Sequence, residues 1–151
     1  MRAHVLLTSP AVATILFTGC SGSDDGKAID KSLCEKAPTS VTSAISDGFT
    51  NSTFELHDAQ MVKVPAGDQS STGYLSYIVA GNVTGPDGAD PSAVGVWSVS
   101  EPSDPGPIFA LNPGAKTLTN WGTAIQDGSQ MAETRDIIAS LDSTQAAQDC
   151  L

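Results

Sequence analysis

Positive charge is what this chain has least of. Lys and Arg number 7 against 17 Asp and Glu, giving a formal charge of −10 over 151 residues. A nucleic-acid binder needs clustered Lys and Arg to neutralise phosphates, so that class is excluded. Docking on anionic lipid through a basic face is excluded on the same ground. Charge of either sign is sparse, at 16% of residues, where about 25% is usual for a soluble domain. No uncharged apolar run reaches the roughly 20 residues that a membrane-spanning helix needs. The length fits one domain and leaves little room for two. Cysteine is scarce and odd in number, with three residues, Cys20, Cys34 and Cys150.

The first twenty residues bear on the odd number. Arg2 and His4 form a short basic start, and residues 5–19 carry no charge. Val5, Leu6, Leu7, Ala11, Val12, Ala13, Ile15, Leu16 and Phe17 make them apolar, with Pro10 interrupting. That is the layout of a secretory signal peptide. The stretch closes on Leu16, Phe17, Thr18, Gly19 and Cys20, followed by Ser21, Gly22, Ser23, Asp24 and Asp25.

Residues 1–20 resemble the lipobox of bacterial lipoproteins. Thr18 and Gly19 match the two small positions before the cysteine, and Phe17 stands where Leu is usual. The resemblance implies cleavage before Cys20, lipidation of its sulfur with palmitate-type chains, and anchoring to the cell membrane. A thioether-linked diacylglycerol supplies two acyl chains, enough for stable anchoring where one is marginal. The alternative is an ordinary signal peptide with a chance cysteine. Cleavage would remove Arg2 and no acid, so six basic residues against 17 acidic ones leave the exported part at −11. The expected organisation is a signal peptide over 1–19, a lipidated flexible tether over 20–31, and a single domain over 32–151. Asp24 and Asp25 belong to that tether and read as solvating.

An exported chain meets an oxidising compartment, where disulfides persist. With Cys20 lipidated, Cys34 and Cys150 remain as the one intramolecular pairing. The alternative is a pair of buried free thiols. Two distant cysteines and His57 do not have zinc-ligand spacing, and neither a metal nor a cofactor is expected.

Hydrophobic spacing organises the remainder. Ala37, Val41, Ala44 and Ile45 recur at helical spacing over residues 33–47, with Pro38 kinking the helix or starting its main segment. Four strands follow: residues 53–64; residues 74–83, apolar on both faces and so central; residues 94–100; and a short one at 108–111. Proline- and glycine-rich stretches between them read as turns. A helix is expected over residues 129–141, capped by Ser129. The fold class is therefore α+β: an N-terminal helix, an antiparallel meander of about four strands and a C-terminal helix, both helices on one face of the sheet. Within the body, Cys34 to Pro38, the stretch 77–85, Gly95-Val96-Trp97 and Asp149-Cys150 resemble small actinobacterial envelope lipoproteins. That resemblance implies no activity.

The candidates for chemistry are few. His57 lies between Glu55 and Asp58, and a histidine flanked by acids could act as a general base. The competing reading is a solvated histidine on a strand. Asp87 and Asp90 in a glycine-rich loop, with Asp104 in the next, could offer oxygens to Ca²⁺, but the EF-hand spacing is absent. Residues 81–85 lack the lysine of a phosphate loop, and no Gly-x-Ser-x-Gly elbow exists. The two Asn-x-Thr matches at Asn51 and Asn82 read as chance. Trp97 and Trp121 form a possible binding surface; Trp97 sits in an apolar strand and reads as core, whereas Trp121 lies in a loop-like stretch. The leading expectation is a non-enzymatic envelope module that binds a protein partner or wall component through its sheet or loops. Alternatives are a small envelope hydrolase or ligand-binding protein using His57, and a phage-derived or immunity-type lipoprotein.

Overall fold

A computed structural model describes residues 31–67, 75–85, 93–121 and 130–151. Cys20 and residues 21–30 of its tether, and the loop carrying Asp87 and Asp90, lie outside the described residues. So do Tyr74 and the capping Ser129.

Five antiparallel strands form one sheet in sequence order. They are β1 (Glu35–Lys36), β2 (Glu55–Lys63), β3 (Tyr77–Thr84), β4 (Ala93–Val99) and β5 (Phe109–Ala110). A 3₁₀ turn at Lys31–Leu33 precedes β1. Four helices are described: α1 (Thr39–Ser46), α2 (Pro113–Leu118), α3 (Gln130–Ala139) and α4 (Asp142–Asp149). The expected α+β mixture and antiparallel meander stand.

Three details differ. The first helix begins at Thr39, because Pro38 sits at its N-cap in an extended conformation. The residues before it instead form β1, an additional edge strand paired to β2 through Glu35↔Met61 and Lys36↔Gln60. The Ala37 N–H then donates to the Ala59 carbonyl at 2.9 Å, continuing that edge. Second, Asn112 and Pro113 open a helix where a turn was expected. The Asn112 side chain accepts the Ala115 N–H at 2.9 Å, and Pro113 has no N–H to leave unpaired in the first turn. Third, a separate helix, α4, follows Leu141, whose extended backbone breaks the helical run.

The helices do not share one face. Alternating side chains of the sheet build two buried layers, and each layer needs cover. Met61, Val79, Val83, Trp97 and Val99 pack with Val41 and Ile45 of α1 and with Ala115 and Leu118 of α2. On the opposite face, Val62, Ile78, Ala80, Val96 and Phe109 pack with Ile138 of α3 and with Ala146 and Ala147 of α4. The sheet is thus the middle of three layers, and the expectation of helices on one face is corrected. Its cause is visible in β3 and β4, which are apolar on both sides and so cannot present either side to water.

Asn112 also joins α2 to the sheet. Its Oδ1 accepts the Val96 N–H at 3.1 Å, and its Nδ2 donates to the Val94 carbonyl at 2.8 Å. One side chain therefore caps a helix and pairs the part of β4 that β5 does not reach. The Leu111 N–H completes the junction by donating to the Val96 carbonyl at 2.8 Å.

Candidate functional site

Cys34 and Cys150 are brought together from opposite ends of the domain, with sulfurs 1.97 Å and Cα atoms 5.8 Å apart. The pair links the segment entering β1 to the last residue of the α4 turn. Free, separated thiols are not what the fold presents.

His57 lies on the first half of β2, where β1 no longer runs alongside. The register pairs Glu55 with Thr84 and His57 with Asn82, so Glu55, His57 and Thr84 share a patch. His57 Nε2 is 3.3 Å from Glu55 Oε2 and 3.0 Å from Thr84 Oγ1. An acid, an imidazole and a hydroxyl do meet, but both meet the same ring nitrogen. A proton relay needs the acid on one nitrogen and the hydroxyl on the other, so that the ring can pass a proton between them. The His57 and Glu55 side chains are also 46% and 73% exposed. Water therefore screens the contact, and an exposed pair of this kind contributes little to stability.

The local backbone suggests a different task for this patch. The pairing of β2 with β3 is irregular between His57 and Gln60. Asp58 there adopts φ 51°, a left-handed conformation that a short polar side chain tolerates. A bulge with charged residues on a short edge discourages pairing with another chain. Of the two acids flanking His57, Glu55 is the one that meets its imidazole.

The tryptophans divide. Trp97 is fully buried, its indole N–H directed at Thr119 Oγ1 at 3.4 Å. Its rings lie against Gly95, where a Cβ would collide with them. Trp97 is therefore core and offers nothing to a surface ligand. Trp121 is half-buried at the corner where α1 and α2 end. Its indole N–H donates to the Ile45 carbonyl at 3.1 Å, and its ring lies directly over Gly48. Phe49 and Phe54 stand beside this corner in an edge-to-face pair with centroids 6.1 Å apart. The corner is fixed by backbone pairing: Asn120 N–H donates to the Gly48 carbonyl at 2.7 Å, and Thr50 N–H to the Leu118 carbonyl at 2.9 Å.

Asp104 closes a small turn with Glu101, the two N–H groups and carbonyls bonding reciprocally. Among the described residues, no group of three His, Cys, Asp or Glu side chains is arranged to hold a metal ion. The Phe49–Phe54–Trp121 corner was only partly legible beforehand. Trp121 stands out as loop-like, but Phe49 is brought to this corner by the pairing of residues 48–50 with 118–120, and Phe54 packs on Phe49.

Comparison with known proteins adds no relative: no family model, curated protein or solved structure matches the chain.

Proposed function

We propose that this chain is a membrane-anchored, extracytoplasmic lipoprotein whose folded part is a non-enzymatic binding module of the cell envelope. The observation that carries the reading is the division of the three cysteines. Cys34 and Cys150 lie at bonding distance. Cys20 is thereby left to the lipobox-like stretch that ends on it. A long-range disulfide suits an oxidising compartment outside the cytoplasm, where a lipoprotein body resides. No helix among the described residues is long and apolar enough to cross a membrane.

Binding rather than catalysis is favoured by the chemistry of the polar groups. The acid–histidine–hydroxyl cluster at His57 uses a single ring nitrogen and is open to water. Both sheet faces are covered by helices, and the half-buried Trp121 corner and the loops are the contact surface proposed for the module. The aromatic faces there suit a wall glycan or an apolar side chain of an envelope protein. Fractionation tests the anchor: wild-type protein is expected in the detergent phase, and Cys20→Ser in the aqueous phase or as uncleaved precursor. Identical partitioning of the two would overturn the reading. For the module, Trp121→Ala is expected to weaken retention on purified cell wall or on an envelope partner, with His57→Ala retained as wild type.

A further inference from the structure

The helices on the two sheet faces are held by unequal means. On one face, α1 contributes Val41 and Ile45 and α2 contributes Leu118, all buried. On the other, the buried residues of α4 are Ser143, Thr144, Ala146 and Ala147. Beneath that face lie Val62, Val64, Ile78, Val96, Phe109 and Leu111, against which α4 sets only the small side chains Ala146 and Ala147, beside Ile138 of α3. The Ser143 hydroxyl is buried with no hydrogen-bond partner, which subtracts from what the packing gains. With eight residues and no side-chain cap, α4 would be marginal as an isolated helix.

Its two ends are nevertheless fixed. At the start, Thr144 Oγ1 donates to the Ile138 carbonyl at 2.7 Å and Leu141 N–H to the same carbonyl at 3.1 Å. These bonds tie α4 to α3, whose Ile138 is fully buried. At the other end, Cys150 joins Cys34, the residue that leads into β1 and so onto the sheet. Leu141, extended between α3 and α4, is a natural hinge.

We propose that α4 is a strap fastened by the Cys34–Cys150 bond, and that a dithiol reductant releases it from a sheet that stays folded. The reductant's thiolate attacks one sulfur, forming a mixed disulfide and freeing the other cysteine. Its second thiol then closes on the first, so that the reductant leaves as a cyclic disulfide and both cysteines leave as thiols. Two electrons and two protons pass to the protein. The release uncovers the part of the Val62, Ile78 and Val96 layer that Ala146 and Ala147 cover, while Ile138 of α3 stays in place, so the domain's apolar exposure depends on redox state.

Hydrogen exchange read by mass spectrometry tests this on the full folded protein, oxidised and after dithiothreitol, without denaturant. On reduction, amides of residues 144–151 are expected to exchange at least about tenfold faster, while those of β3 and β4 stay slow. Binding of an apolar dye is expected to rise in parallel. The double variant Cys34→Ser/Cys150→Ser is expected to reproduce the reduced pattern with no reductant present. Two results would overturn the strap: α4 amides equally protected in both states, or α4 and the β3–β4 amides losing protection together.

Discussion

Replacing Asn112 by Ala removes three hydrogen bonds made by one amide, and their costs differ. The N-cap bond to Ala115 N–H is worth about 1 kcal/mol, the usual cost of losing a good cap. The Val96 N–H belongs to a fully buried residue, and without Asn112 Oδ1 it has no partner. An orphaned buried donor of this kind costs about 1–3 kcal/mol. Val94 is 39% exposed, so water replaces the Nδ2 donor at its carbonyl at little cost. The expected loss is therefore about 2–4 kcal/mol, a large share of the roughly 5–15 kcal/mol that holds a domain. Urea unfolding of the oxidised domain, followed by circular dichroism, reads it as a lower midpoint at unchanged slope. Asn112→Asp separates the contributions. It keeps both accepted bonds but sets a carboxylate oxygen against the Val94 carbonyl, so it should fall between wild type and Ala. A loss below about 0.5 kcal/mol for Asn112→Ala would refute the reasoning, since that is the range of surface substitutions away from special features. Equal losses for Ala and Asp would refute the assignment of the cost to the accepted bonds.

Three further outcomes are expected. Ser98→Ala should be neutral or stabilising in the same unfolding assay, because the Ser98 hydroxyl is buried without a partner and its removal relieves desolvation. Gly48→Ala should drive the Trp121 ring off its seat, lowering stability by about 1–3 kcal/mol through overpacking and raising quenching of tryptophan fluorescence by acrylamide. Asp136 is held below the ordinary carboxylate range by its hydrogen bond from Arg135, against a desolvation that raises it, with the charges of Arg135 and Lys116 also lowering it. A depressed folded value means that this contribution is present above the unfolded carboxyl's range and fades as pH falls through the folded value. A side-chain NMR titration should show Arg135→Gln moving Asp136 upward; an unmoved titration would remove Arg135 as the cause.

The central strands were the legible part of the fold. β3 and β4 combine branched residues with apolar side chains on both faces, and glycine- and proline-rich stretches frame them. The same two-sided apolarity implies cover on both sides, which is where the one-face arrangement fails. β1 carries no pattern because it has two exposed residues, Glu35 and Lys36, and exists only as a partner of β2. The start of α2 is ambiguous by chemistry: Asn112, Pro113 and Gly114 suit a turn and a helix start equally. α4 escapes hydrophobic periodicity because the side chains it buries are Ser, Thr and Ala. At the candidate site, the acid beside His57 was visible, but which ring nitrogen it would meet depends on strand register. Trp97 read as core from its apolar neighbours and is core. The Trp121 corner needed the pairing of residues 48–50 with 118–120, a contact across about 70 positions that no local pattern carries.

The most direct measurement of the proposed anchor is the intact mass of the protein recovered from cell membranes, with fragmentation to locate modifications. A lipoprotein gives a chain beginning at Cys20 that carries a diacylglycerol on its sulfur and a bond between Cys34 and Cys150. A soluble chain that begins elsewhere, or a Cys20 thiol without lipid, would contradict the anchor and the division of cysteines on which the proposed function rests.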